Sequence, residues 1–222
     1  FIVFNERNYP NFSSLLATLG VESQPSSMSF SVRHDAADLE YNGSSLGQLF
    51  VQPRNLVRPD YLRMLSDVMR FNREAVAAVA AAVPGTTLGT LLDREGYGTA
   101  FREWYLLPMG SAIWSIPGST VLRMPAAFFV RFFQNHGMLT VDDRPLWRTV
   151  RGGSARYVEA LVAPFRQRIR LNTPVERIER LADRVAVDGE PFDRVVIACH
   201  SDQALALLAD PTPTEREVLS AL

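Results

Sequence analysis

The stretch WRTVRGGSARYVEAL, residues 147–161, decides how the chain is read: a β-like run ends in two glycines and a serine, and an amphipathic helical pattern begins at once. A Gly-Gly-Ser turn at a helix N-terminus can direct backbone N–H groups outward, where the helix dipole favours phosphate or carboxylate. The same residues serve equally well as a plain turn. Downstream, RIRLN, VERIERLADRVAV and FDRVVIACH have the lengths and β-branched content of three short strands, and SDQALALLA and TEREVLSAL read as helices. RVVIACH is a continuous apolar run of the kind buried on both faces of a parallel sheet, and it stops at the small residue Ala198. Open α/β sheets bind ligands at the carboxyl ends of such strands, so a site is expected around Ala198 and His200.

Upstream, FIVF reads as a strand end, and NERNYPNFSSLLATLGV as a helix with Pro10 in its first turn and Gly20 as its stop. MSFSVRH alternates as a half-buried strand, and LEYNGSS carries a turn signal at Asn42-Gly43, which together predict a short ribbon. From Pro59 the apolar residues Leu62, Leu65, Met69, Val76 and Val79 recur at helical spacing until Pro84-Gly85. TTLGTLLDREG, GTAFREWYLLPMGSAIW and MPAAFFVRFFQNHG add helical segments. The middle of the chain is therefore mostly α, between two ends of α/β character.

Composition narrows the chemistry. With 47% apolar residues the chain can bury a core, and a net charge of −1 gives no nucleic-acid or polybasic membrane footprint. Every one of the 23 basic residues is arginine, so a lysine Schiff base and a P-loop lysine are excluded from these residues. Cys199 is the only cysteine, which forbids an internal disulfide or a CxxC pair and points to a reducing, cytoplasmic setting. No apolar run is long enough for a transmembrane helix. The opening FIVFNERNYPNF, with no initiator Met and no signal-like n-region, reads as a fragment that starts mid-fold.

The motifs are sparse. His200, Ser201 and Asp202 are adjacent, so their side chains diverge and cannot form a hydrolase triad; Ser201 or Asp202 is expected to cap the following helix. His34 and His136 lack metal-ligand spacing, no metal site is expected, and His136 beside Gly137 reads as a helix C-terminal residue. GYGTAF, residues 96–101, lacks the third glycine of a dinucleotide fingerprint and follows a helix. Tyr105, Trp114, Phe128 and Phe132 belong to an aromatic set dense enough to line an apolar pocket, although core packing is the ordinary use of such residues. The stripe of Phe128, Phe129, Phe132 and Phe133 needs a cover, for which a domain, a ligand or a lipid tail would serve. No side chain stands out as a catalytic acid or base.

The order of these motifs is where a resemblance enters. The segment from GGSARYVEAL through NTPVERIERL to FDRVVIACHSDQALALL resembles the second half of the flavin domain in the amine oxidase and phytoene desaturase superfamily, and FIVFNERNYPNFSSLLATLGV resembles the segment beside the flavin ring. MSFSV, LEYNG, YLLPMGSAIWS and WRTVRGGS in this order are similar to bacterial predicted NAD/FAD-binding proteins of the amine-oxidase type. The resemblance implies an incomplete Rossmann-like FAD-binding domain, residues 1–25 and 143–222, with an inserted mainly helical substrate-binding domain, residues 26–142. It implies FAD as cofactor, with Val175 at the adenine, Phe4 and Asn5 beside the isoalloxazine ring, and Ala198 at the strand end. Gly152 and Gly153 match the family's Gly-Gly turn, where they either touch the cofactor or only shape the chain. The G-x-G-x-x-G segment that grips the diphosphate is absent and is expected outside these residues. The function implied is transfer of a hydride from a small hydrophobic substrate to flavin, with peripheral membrane contact compatible; a flavin-fold module that binds an apolar ligand or a protein without redox chemistry is the other reading.

Overall fold

A computed structural model describes residues 3–140 and 145–221. The chain forms two compact units, Phe1–Val162 and Ala163–Leu222. The first unit opens with α1, Pro10–Thr18, whose proline occupies the first turn and whose end is closed by Gly20 in the left-handed region at φ 65°. Phe1 and Ile2 of the expected strand end lie outside the described residues; Phe4 bridges to Arg148, with Phe4 N donating to the Arg148 carbonyl at 2.9 Å and the reverse bond at 2.8 Å. Strand β1, Ser23–Pro25, pairs antiparallel with β4, Arg148–Val150. The long helical portion thus leaves and returns at one two-stranded ladder.

Between those strands lies the ribbon of β2, Ser31–His34, and β3, Leu39–Asn42, joined by a short 3₁₀ turn at Asp35–Ala37. The Asn42-Gly43 signal forms a turn at the far end of the ribbon, where Asn42 Oδ1 accepts from Ser44 N at 2.8 Å. Helix α2, Leu46–Leu49, leads to α3, Pro59–Ala80. α3 forms where the periodicity predicts it, and Leu65 and Val79 of the expected stripe pack against the core, but the most buried face is shifted from that stripe. Tyr61, Met64, Phe71 and Ala75 face the core, while Leu62, Met69 and Val76 stay 43%, 53% and 42% exposed. The reason is in the tyrosine: its ring is buried and its hydroxyl donates to the Leu49 carbonyl at 2.7 Å, so the larger aromatic goes inward without an orphaned polar atom.

Helix α4, Leu88–Arg94, starts at Thr87, whose hydroxyl accepts from Thr90 N. Next come α5, Thr99–Phe101, a π turn at Arg102–Leu106, and α6, Leu107–Trp114. Pro108 explains the π turn. Its missing N–H leaves the Trp104 carbonyl without the usual helical donor, and its ring crowds that carbonyl, so the helix widens. The buried Tyr41 hydroxyl donates to the freed Trp104 oxygen at 2.7 Å. Helices α7, Gly118–Arg123, and α8, Ala126–Asn135, complete the bundle, with Phe129 and Phe133 fully inside the core. α9, Ala155–Val162, follows the Gly-Gly turn and contains no fully buried residue.

The second unit is smaller and wetter. β5, Ile178–Arg180, β6, Val185–Val187, and β7, Glu190–Phe192, form an antiparallel meander. α10, Ser201–Leu207, and α11, Pro213–Ser220, pack near it, with a capping box between Thr212 and Glu215 on α11. Two expectations are corrected here. RIRLN and RVVIACH enter no ladder among the described residues, and Val196 is 91% exposed where a doubly covered strand was expected. A buried parallel strand needs neighbours on both edges and layers on both faces, and the described residues of this unit supply neither. The cap expected from Ser201 or Asp202 is also not made: His200 is the N-cap residue of α10, without a side-chain cap bond.

Candidate functional site

An open cleft of about 590 Å³ in the first unit is lined by Arg7, Asn8, Tyr9, Phe132, Asn135 and His136. Its size is within the range of small-molecule sites. One wall is the bend between Phe4 and α1. Asn5, 1% exposed, shapes it: its Oδ1 accepts from Asn8 N at 2.8 Å, and its backbone carbonyl accepts from Tyr9 N at 3.0 Å. Asn8 Nδ2 then donates to the Asn135 carbonyl, which joins the bend to the end of α8. Two buried amide atoms here, Asn5 Nδ2 and Asn8 Oδ1, have no hydrogen-bond partner. Such orphans are costly in a core and call for a partner or a role.

The other wall is aromatic. Phe132 stacks on His136 with centroids 3.9 Å apart, and Trp114 packs on Phe132 at 4.8 Å and on Phe128 at 5.9 Å. Trp147 lies parallel to the His136 ring at 6.4 Å. His136 Nδ1 is 2.9 Å from the Phe132 carbonyl, which can only accept, so Nδ1 carries the hydrogen and the neutral ring keeps its lone pair on Nε2. Tyr9 Oη lies 3.4 Å from that nitrogen.

Beneath the bend, Phe4, Phe12 and Tyr157 meet edge to face at 5.0 and 5.2 Å, tying the Phe4 bridge to α1 and α9. This small core, with Leu16 and Val150, fixes the start of the Gly-Gly turn. Gly152 and Gly153 take φ of 78° and 87°, which only glycine adopts freely. Gly153 N donates to the Val150 carbonyl at 3.1 Å, so that N–H closes the turn, while the space over Gly153 is open.

The residues singled out from sequence are placed as follows. Phe4 and Asn5 are buried at the bend, and Trp114, Phe128 and Phe132 come together, with Phe128 52% exposed at the edge. Tyr105 sits in the π turn against Phe101. In the second unit, Val175 is 39% exposed, just before Glu176 N and Arg177 N donate to Asp188 Oδ1, and Ala198 is exposed. Sequence reasoning missed Arg7, Asn8, Tyr9, Asn135 and the second role of His136. His136 does terminate α8, as expected, yet it also faces the cleft. The usable signal was Asn5 with Asn8, two amides three apart before a proline-started helix.

A second, smaller cleft of about 270 Å³ runs along Asp60, Arg63, Asp67 and the start of α5. Its most buried carboxylate, Asp67, is occupied structurally: Arg70 donates to it at 2.9 Å and Gly98 N at 3.0 Å. No group of His, Cys, Asp or Glu among the described residues could hold a metal ion, and no described helix is long and apolar enough to cross a membrane.

A comparison with curated proteins finds no match. A comparison with family models matches residues 2–222 to the flavin containing amine oxidoreductases. FAD is the cofactor of that family, and the described residues fit one end of it. The buried Asn5 amide offers an unused donor at the bend, and the space over Gly153 before α9 is open, while Arg156 lies over Gly152. No G-x-G-x-x-G occurs in the 222 residues. With the motif order and the family match over nearly its whole length in agreement, the chain belongs to the flavin containing amine oxidoreductases, FAD-dependent oxidoreductase enzymes.

Proposed function

We propose that the enzyme oxidises a hydrophobic substrate held against the wall of Trp114, Phe128 and Phe132, with the bend at Phe4 and Asn5 beside the flavin ring. The observation that carries this reading is the aromatic cluster at the cleft: Phe132 lines it, Trp114 packs on Phe132 at 4.8 Å, and the half-exposed Phe128 packs on Trp114 at 5.9 Å. Bound flavin supplies the hydride acceptor. The protein residues orient the substrate and exclude water from the reacting carbon, which is how positioning lowers a barrier without a strong acid or base in the wall.

The β1–β4 ladder supports a further part of the reading. Residues 26–142 form a substrate-binding insertion, and residues 1–25 and 143–222 belong to an incomplete Rossmann-like flavin domain, with Val175 and Ala198 toward the cofactor and Gly152 and Gly153 shaping the approach. The free thiol of Cys199 suits a reducing, cytoplasmic setting. The test is anaerobic flavin reduction in the intact, FAD-loaded protein. A long-chain alkylamine such as dodecylamine reduces the flavin faster than methylamine does, and Trp114→Ala lowers the dodecylamine rate at least tenfold. Equal rates for the two amines would contradict the hydrophobic assignment.

A further inference from the structure

We propose that His136 is the proton acceptor of this oxidation, with Tyr9 as the residue that positions its ring; the inference rests on the hydride-transfer reading above. The departing hydride carries two electrons with it, so the substrate's charge rises by one. One proton must leave as well: from an adjacent carbon, the C–H electron pair becomes the new π bond; from an ammonium nitrogen, the N–H electron pair becomes the lone pair that forms the C=N π bond as the hydride departs. Some group must form a bond to that proton.

Among the described residues lining the cleft, the ring nitrogen of His136 has the geometry for it. The bond from Nδ1 to the Phe132 carbonyl fixes the tautomer, so the Nε2 lone pair is left on the side of Tyr9. Stacking on Phe132 at 3.9 Å holds the ring plane, and Trp147 lies parallel to it at 6.4 Å. The other titratable or charged groups lining the cleft are Arg7 and Tyr9, both on the bend; Phe132 and Asn135 are what α8 contributes, and no carboxylate is among the described lining residues. The second cleft offers carboxylates, but Asp67 is engaged by Arg70 and Gly98. The open mouth lets the imidazolium release its proton to water.

The experiment has two arms on the intact, FAD-loaded protein. The first reads the ring without turnover. A protonated imidazole quenches an adjacent indole, so tryptophan emission titrates with pH in the wild type, and the step is lost in both His136→Gln and Trp147→Phe; the second variant is needed because His34 lies 6.2 Å from Trp104. The second arm follows anaerobic flavin reduction by dodecylamine. His136→Gln lowers the rate about 10²- to 10⁴-fold, removes the acid limb of the pH profile, and leaves the visible flavin spectrum in place, while Tyr9→Phe lowers the rate less and shifts the limb. If His136→Gln loses flavin, His136→Asn carries the same comparison. An emission step that persists without His136, or an unchanged reduction rate, overturns the proposal. An emission step assigned to His136 in a protein that dodecylamine does not reduce instead removes the oxidation reading, and the proposal with it.

Discussion

Tyr41 carries a hydroxyl into the core to serve one carbonyl, that of Trp104, which Pro108 has left without a donor. Removing the hydroxyl orphans a buried acceptor, so Tyr41→Phe is expected to destabilise the protein by roughly 1–3 kcal/mol at neutral pH. Burial pushes the Tyr41 ionisation well above its ordinary value of 10.0. The sign follows from linkage. The stabilisation is complete below the unfolded value and is lost as pH rises above it, because the unfolded chain ionises while the folded one resists. Denaturant melts are therefore expected to show stability falling above pH 10 in the wild type and falling less steeply in Tyr41→Phe, with Tyr61 and Tyr97, both pushed up to about 12 by burial, keeping part of the slope. A slope unchanged by the substitution would remove Tyr41 from this account. Gly110 is the complementary case. A Cβ there would lie 2.8 Å from Val121 Cγ1 and 3.3 Å from the Phe129 ring, both fully buried, so Gly110→Ala is expected to cost about 1–3 kcal/mol despite alanine's better helix propensity.

At the scale of elements, the π turn makes the sharpest prediction. Pro108→Ala restores an N–H for the Trp104 carbonyl, and the segment is expected to relax toward regular α-helix. Tyr41→Phe should then cost much less in the Pro108→Ala background than alone, a coupling that a double-mutant cycle in denaturant measures. Additive effects would contradict the assignment. The same element shows what was legible beforehand and what was not. α1, the β2–β3 ribbon, α3 and α8 were readable from periodicity, Pro10 and the glycines that close them. The π turn was not, although Pro108 four residues after Trp104 is its cause, because a helical pattern continues on both sides of it. The inward face of α3 was read only in part: Leu65 and Val79 pack against the core as expected, but Leu62, Met69 and Val76 of the same stripe stay exposed while Tyr61, Met64, Phe71 and Ala75 are buried, a choice that only tertiary packing makes. The strand expected at RVVIACH was legible as apolar sequence, but a ladder depends on partners that a local pattern does not contain. His136 was legible as a helix terminus; its place in the cleft required knowing that Tyr9, 127 residues away, meets it.

At the scale of the whole molecule the two units differ in how much they bury. The first holds a core of aromatic and aliphatic side chains from α3 through α8; in the second, the fully buried apolar residues described are Ile178, Ala186 and Ala204. Amide exchange is therefore expected to be slowest in α3 and α8 and at least tenfold faster in β5, β6 and β7 of the flavin-free protein. Comparable protection in both units would contradict this ordering of stability. The central claim, that this flavoprotein oxidises an apolar substrate, is tested most directly by the visible spectrum of the intact protein mixed anaerobically with dodecylamine. The account predicts a yellow protein whose flavin absorbance bleaches on mixing and returns with oxidant; a protein that stays colourless after incubation with FAD would contradict it.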